Sequence, residues 1–204
     1  MDWQARYQVG DTPWDKGCVT PVLTELIGKN PFFFGESKRF FVPGCGFGYD
    51  ALAIAETGSS VIGMDIAESA VKQAQRLESA ERELSFVSGD IFELAENLYG
   101  RFDFVWEHTC FCALDPSLRS RYVEQMWKVL KQGGAVVGVF FINPDVAAGE
   151  GPPYGASREE IRALFASHFV LEWESEPKCC YEGREGREHV MLFRRLTDCR
   201  EIDC

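Results

Sequence analysis

Gly44-Cys45-Gly46-Phe47-Gly48 places glycines at alternate positions, and Asp65, Asp90 and the pair Glu107-His108 follow along the chain. Residues without a Cβ let the backbone turn tightly and come close to a ligand, so this run can make a cradle. A glycine run alone is a weak signal, because it also serves as a plain tight connection. An acidic residue about twenty positions further on strengthens it, since the Asp65 carboxylate can accept hydrogen bonds from both hydroxyls of a ribose. Asp65 and Asp90 also suit the N-cap of a following helix, and that reading stands beside the first.

Two nucleoside cofactors suit such a cradle. The dinucleotide fingerprint G-x-G-x-x-G sets a pyrophosphate on a helix N-terminus, but here the third glycine, Gly48, comes one position early. The next helix opens at Tyr49-Asp50, and an acidic side chain there repels a diphosphate. A ligand with an ammonium group, such as the methionine moiety of S-adenosyl-L-methionine, tolerates it. The methyl donor is therefore the expected cofactor. The alternatives are an NAD(P)-dependent oxidoreductase on the same type of sheet and a non-catalytic nucleoside-binding module.

For these groups to meet, they must sit at the carboxyl ends of neighbouring parallel strands, where an open α/β sheet forms its crevice. The apolar runs predict that layout. Arg39–Pro43 reads as a buried strand ending in glycines, and Tyr49–Glu56, with its Ala-Leu-Ala-Ile-Ala run, as a helix. Further strands are expected at Ser60–Met64, Leu84–Val87, Phe102–Trp106, Ala135–Phe141, Val170–Trp173 and His189–Arg194. Helices are expected from about Ala67 to Ser79, and from Pro116 along a Tyr122, Met126, Val129, Leu130 stripe to a stop at Gly133-Gly134. A last helix runs from Ser157 to Ala166, opening on a Ser-Arg-Glu-Glu capping box. The alternation predicts a Rossmann-like α/β fold: a mostly parallel seven-stranded sheet with helices on both faces and an antiparallel edge hairpin. Residues 1–204 read as a single domain, in which 1–34 form a Trp- and Phe-rich N-terminal arm, 35–197 the α/β core and 198–204 a polar tail.

The chain has 204 residues, 46% hydrophobic and 13% aromatic, enough for one sizeable core without staples. A net charge of -11 argues against a nucleic-acid backbone or an anionic membrane as partner, since both reward clustered Lys and Arg. The chain opens MDWQARYQVG, without an apolar signal segment, and no apolar run approaches the roughly 20 residues of a membrane span. A cytoplasmic protein with reduced cysteines is expected. Neither Cys110/Cys112 nor Cys179-Cys180 has C-x-x-C spacing, and no His/Asp/Glu cluster has ligand spacing, so no metal is expected.

With these motifs in place, the sequence resembles the thiopurine S-methyltransferase family, which includes thiol, thiocyanate and halide methyltransferases, over nearly its whole length. The matching segments are Trp3, Tyr7 and Trp14 with Thr12-Pro13-Trp14-Asp15-Lys16-Gly17, the loop Val42-Pro43-Gly44-Cys45-Gly46-Phe47-Gly48-Tyr49-Asp50, Gly63-Met64-Asp65-Ile66, Phe111-Cys112-Ala113-Leu114-Asp115-Pro116 and Gly151-Pro152-Pro153-Tyr154. The resemblance implies a class I methyltransferase using S-adenosyl-L-methionine on a small-molecule acceptor. It implies that Trp3, Tyr7 and Trp14 close over the cofactor and that Gly44, with Gly46 beside it, contacts the methionine part. Asp65, with Ile66, would contact the ribose, Asp90 and Ile91 the adenine, and His108 would line the methyl-transfer side. The chain departs from the family's pattern at His108, where Arg or Tyr is usual, and at Tyr7, where Trp is usual.

Methyl transfer from a sulfonium is an in-line displacement in which donor and anionic acceptor neutralise each other, so positioning and desolvation supply most of the acceleration. Aromatic faces over a sulfonium stabilise its charge and exclude water. A thiol acceptor must lose a proton, which makes His108 the candidate base or polar contact. Tyr154 and Phe111 are candidate walls of the acceptor pocket. Cys45, Cys110 and Cys112 read as inert packing. The acceptors that fit are a thiol, a thiopurine, hydrogen sulfide, thiocyanate, a halide or an oxidised selenium or tellurium species.

Overall fold

The computed structural model describes residues 1–30, 33–142 and 150–197. Its strands are β1 (Arg39–Pro43), β2 (Ser60–Asp65), β3 (Leu84–Ser88), β4 (Phe102–His108), β5 (Leu130–Phe141), β6 (Phe169–Ser175) and β7 (Glu188–Arg195). They form one seven-stranded sheet in the order β3-β2-β1-β4-β5-β7-β6. β1 to β5 pair in parallel, whereas β7 runs antiparallel to both β5 and β6. The expected Rossmann-like α/β architecture and antiparallel edge pair are both present.

Six α-helices lie among the described residues: α1 (Trp3–Val9), α2 (Pro21–Lys29), α3 (Tyr49–Ala55), α4 (Glu68–Ala74), α5 (Arg119–Val129) and α6 (Arg158–Phe165). The period of two along each strand divides the core into two layers. Phe41, Val105 and Phe140 face one side, where Tyr122, Met126, Ile161 and Phe165 of α5 and α6 cover them. Phe40, Val42 and Trp106 face the other, under Leu23 of α2, Ile54 of α3 and Val71 of α4. Continuous apolar runs in β1 and β4 follow from this burial on both faces.

Three local features differ from expectation. Gly133-Gly134 does not end α5. The helix stops at Val129, and the glycines sit inside β5, where the register with β4 jumps from Phe102↔Leu130 to Phe104↔Ala135. Three extra residues bulge there, and Gly133 takes a φ of 73° to absorb them. The segment after α4 tightens into a 3-10 turn at Gln75–Leu77 rather than remaining α-helical to Ser79. Within the expected arm, α2 buries Val22, Leu23 and Leu26 against the sheet, leaving the residues before it as the strap. The polar tail 198–204, with Cys199 and Cys204, lies outside the described residues.

Among the described residues, no helix is long and apolar enough to cross a membrane.

Candidate active site

β1, β2, β3 and β4 deliver their carboxyl ends to one rim. The loop after β1 holds Gly44 at φ 59° and Gly46 at φ 53°, a region that L side chains avoid. A Cβ at Gly44 would stand 2.9 Å from the Cβ of Cys110, and one at Gly46 would stand 3.0 Å from the Tyr7 hydroxyl. These glycines are required by the fold and leave the loop backbone bare toward the rim.

Asp65 ends β2 and is 6% exposed. Its Oδ2 accepts from Gly46 N–H at 2.9 Å and its Oδ1 from Ala67 N–H at 2.9 Å. Burial pushes its pKa up, and the backbone donors oppose that shift. The Asp65 carbonyl accepts from Gly89 N–H at 3.0 Å, which brings the ends of β2 and β3 together. Asp90 follows, half-buried, with Oδ1 accepting from Phe92 N–H at 2.8 Å. The helix-cap and ligand readings of Asp65 therefore coexist: two lone pairs serve the backbone, and a carboxylate has others to give. Ile66 leaves its side chain exposed beside Asp65, whereas Ile91 sends its side chain into the core.

The strap crosses this rim. Gln4 Oε1 in α1 accepts from Ser69 N–H and Oγ–H at 3.1 and 3.2 Å, docking the helix on the start of α4. Tyr7 packs edge-on against Phe47 of the glycine loop, with ring centroids 5.2 Å apart, and its hydroxyl accepts from Trp14 Nε1–H at 3.1 Å. Burial, and the Asp65 carboxylate after it, keep the Tyr7 hydroxyl protonated. Tyr7 and Trp14 line the cleft, while Trp3 stands behind Trp14 in an edge contact at 5.2 Å. Arg6 lies 4.4 Å over the Trp14 ring, so that aromatic face already holds a cation. Tyr7 is thus seated over Gly46 at the mouth of an open cleft that Trp14, Thr20, His108 and Tyr181 also line.

On the far side of the loop stands His108, the last residue of β4. Its Nδ1 lies 2.9 Å from Thr20 Oγ1 and 3.4 Å from Asp50 Oδ2, and its Nε2 lies 3.4 Å from an Arg184 nitrogen and 3.9 Å from Glu188 Oε1. Burial by itself would lower the His108 pKa. The Asp50 and Glu188 carboxylates overcome burial and the Arg184 charge, and hold the pKa at about 9. The two carboxylates thus favour the protonated ring, and Arg184 opposes it. Thr109, next along, has a φ of 66°, a strained conformation for a β-branched residue, and it lines the cleft with His108 and Tyr181.

Glu107 lies on the opposite face of β4 from His108. It is 0% exposed, accepts from Phe111 N–H at 2.9 Å and takes a short hydrogen bond from the Tyr122 hydroxyl. Of the pair Glu107-His108, only His108 reaches the cleft. Phe111 belongs to the core with Phe140 and Phe165, and is no acceptor wall. Tyr154 N–H donates to the Cys112 carbonyl at 2.7 Å, and Arg119 holds the carbonyls of Tyr154 and Gly155 at 3.0 Å, so Tyr154 braces that turn.

Sequence reading missed Thr20, Trp106, Thr109, Tyr181, Arg184 and Glu188, and gave Asp50 a different part. Asp50 hydrogen-bonds Thr20 and Trp106 and faces His108 on the lining of the cleft. Tyr181 and Arg184 lie in the connection that ends at Glu188, the first residue of β7, and this run has neither motif nor periodicity to mark it.

Gly44, Gly46, Asp65 and Asp90 thus share one rim, and the donor set fits a nucleoside: bare glycine backbone, a rigid carboxylate at a strand end and a second beside it. A family model described as Thiopurine S-methyltransferase (TPMT) matches residues 1–191. The chain is 37% identical over 167 residues to a probable thiol methyltransferase 2 of Arabidopsis thaliana, covering 79% of this chain and 70% of that protein. It is 32% identical over 200 residues to a thiocyanate methyltransferase 1 of Brassica oleracea, covering 96% and 85%. The fold is similar to that of the Burkholderia thailandensis 1,6-didemethyltoxoflavin-N1-methyltransferase solved with S-adenosylhomocysteine. That likeness has a TM-score of 0.72 at 20% identity, over 96% of this chain and 86% of that one. Rim, strap and sequence agree, and the chain belongs to the thiopurine S-methyltransferase family of S-adenosylmethionine-dependent methyltransferases.

Proposed function

We propose that this chain carries the methyl group of S-adenosyl-L-methionine to a small, soft, anionic acceptor: a thiolate, hydrosulfide, thiocyanate or halide. The observation that carries the reading is His108, placed at the end of β4 in the cleft with its ring between the carboxylates of Asp50 at 3.4 Å and Glu188 at 3.9 Å, which favour its protonated form. A base must arrive unprotonated, whereas the surroundings of this ring favour its protonated form. The part it fits is to draw an anion and to favour the thiolate form of a thiol. Similarity to the thiol and thiocyanate methyltransferases supports such an acceptor, and the family match decides against the nicotinamide alternative.

When bound, the cofactor supplies a sulfonium-borne methyl group for in-line displacement. The chain supplies the place. The backbone at Gly44 and Gly46 receives the methionine part, Asp65 with Ile66 the ribose, and Asp90 with the backbone of Ile91 the adenine. Tyr7 and Trp14, backed by Trp3, close over the cofactor and exclude water. No acid is needed, because the transfer to an anion removes charge. In this reading the chain works as one unit in the cytoplasm, where its cysteines stay reduced. With a net charge of -11 it acts on a small molecule and not on nucleic acid.

The test is an assay of the full chain against iodide, thiocyanate, hydrosulfide and an aromatic thiol, with S-adenosylhomocysteine release as readout. Turnover of at least one supports the reading, and cofactor binding without release in any of them removes it. His108→Gln should lower turnover of iodide and thiol alike, about tenfold or more. A loss confined to the thiol would restore the base.

A further inference from the structure

Three segments distant in sequence meet at one carboxylate. Thr20 comes from the foot of the strap, Asp50 from the first turn of α3 directly after the glycine loop, and His108 from the end of β4. Asp50 Oδ1 accepts from Thr20 N–H at 2.7 Å, and Oδ2 accepts from Thr20 Oγ1–H at 2.7 Å and from Trp106 Nε1–H at 2.8 Å. Thr20 is 1% exposed, so this is an interior junction and not a surface contact.

A hydrogen count fixes how His108 is held. The Thr20 hydroxyl has one hydrogen and gives it to Asp50. At 2.9 Å from His108 Nδ1 the hydroxyl oxygen can then only accept, so Nδ1 carries a hydrogen and is committed to Thr20 and Asp50. The other nitrogen, Nε2, remains on the side of Arg184, Glu188 and Tyr181. The Tyr181 hydroxyl in turn donates to the Cys18 carbonyl of the strap at 2.8 Å, which ties the same side to the same foot.

We propose that Asp50, together with Thr20, is a positioning residue that fixes the His108 ring with Nδ1 spent and Nε2 presented to the acceptor, and that joins this orientation to the seating of the strap. The proposal rests on His108 being the acceptor contact. It explains an acidic residue at a position where a phosphate-binding loop would not carry one: the charge serves the β4 histidine. The charged and titratable groups facing His108 are Asp50 from α3, Glu188 from β7, and Arg184 and Tyr181 from the connection before β7. Asp15 and Lys16 of the strap line the same cleft.

The decisive measurement is nitrogen-15 imidazole NMR of the full chain across pH, with the His108 signal assigned by its loss in His108→Gln. The wild type should show the Nδ1-protonated ring, titrating near pH 9. Asp50→Asn should make His108 at least tenfold more acidic, and Thr20→Val should shift it in the same sense. The double variant should shift it by less than the sum of the single changes, since Thr20 and Asp50 share one contact at Nδ1. Thr20→Ser, which keeps the hydroxyl, should restore the wild-type titration. In turnover, Asp50→Asn and Thr20→Val should raise the acceptor KM about tenfold while the cofactor Kd changes less than threefold. An unshifted His108 titration in Asp50→Asn, or full additivity of the two changes, overturns the proposal. If Asp50→Asn does not fold, an unshifted titration in Thr20→Val overturns it alone. Should the wild type methylate none of the acceptors, the functional reading fails, but the NMR result still decides the part Asp50 plays.

Discussion

Asp65 reaches back from the end of β2 to accept a hydrogen bond from the N–H of Gly46 at 2.9 Å, which ties the carboxylate to the glycine loop. Asp65→Ala should cost more than a ribose contact. It leaves the N–H groups of Gly46 and Ala67 without their partner, at about 1–3 kcal/mol for each donor left buried. Calorimetric titration should find cofactor affinity at least thirtyfold weaker, and a change under threefold would contradict the geometry.

Gly44→Ala tests the cradle from the other side. The new Cβ would sit 2.9 Å from that of Cys110, on a backbone at φ 59°. The left-handed conformation alone costs roughly 1–2 kcal/mol for an L residue, and the collision adds to it. A thermal melt should show the midpoint falling by several degrees, together with loss of cofactor binding. An unchanged melt would mean that the loop relaxes freely.

His108 gives stability a pH dependence of definite sign. Its folded-state pKa of about 9 lies above the ordinary value of 6.5, so folding favours the protonated ring. The stabilisation is complete below pH 6.5 and is lost as pH rises through about 9, with an upper bound of roughly 3 kcal/mol. Urea denaturation of wild type and His108→Gln at pH 6, 8 and 10 should show their difference shrinking with pH. A constant difference would place the imidazolium elsewhere.

Tyr122→Phe removes the hydroxyl that Glu107 depends on inside the core. Burial pushes the Glu107 pKa up, and without Tyr122 the carboxyl keeps the backbone donors Phe111 and Cys110 but loses its side-chain partner. Destabilisation of about 1–3 kcal/mol is expected in urea denaturation. Cofactor affinity should stay within threefold of wild type, because the pair lies under the sheet and away from the rim.

Cys110 and Cys112 are buried and Cys45 is partly buried in the cleft lining, and burial raises all three thiol pKa values, that of Cys112 up to about 12. Native labelling with iodoacetamide followed by peptide mapping should modify the exposed Cys18 and Cys179 and spare these three. Rapid labelling of Cys110 would show the glycine loop opening.

The layout of the sheet was legible because burial on both faces leaves unbroken apolar runs, such as Phe40-Phe41-Val42 and Val136 to Phe141, and because the Ser157 capping box is purely local. The misreading at Gly133-Gly134 has the same root: a glycine pair looks alike at a helix end and in a bulge. Only the register of β5 against β4 tells the two apart.

The sequence by itself determined the glycine loop, the acids at the ends of β2 and β3, the aromatic strap and the family, since each is a matter of residue type at short spacing. Tertiary structure alone decided that Glu107 turns into the core while its neighbour His108 meets the cleft, and that Asp50 and Thr20 both meet the His108 ring. It also set Arg184 and Glu188 beside the same ring. Those groups come from segments far apart in the chain, and a charge acquires its partner, and a histidine its protonation state, only when packing removes the water between them.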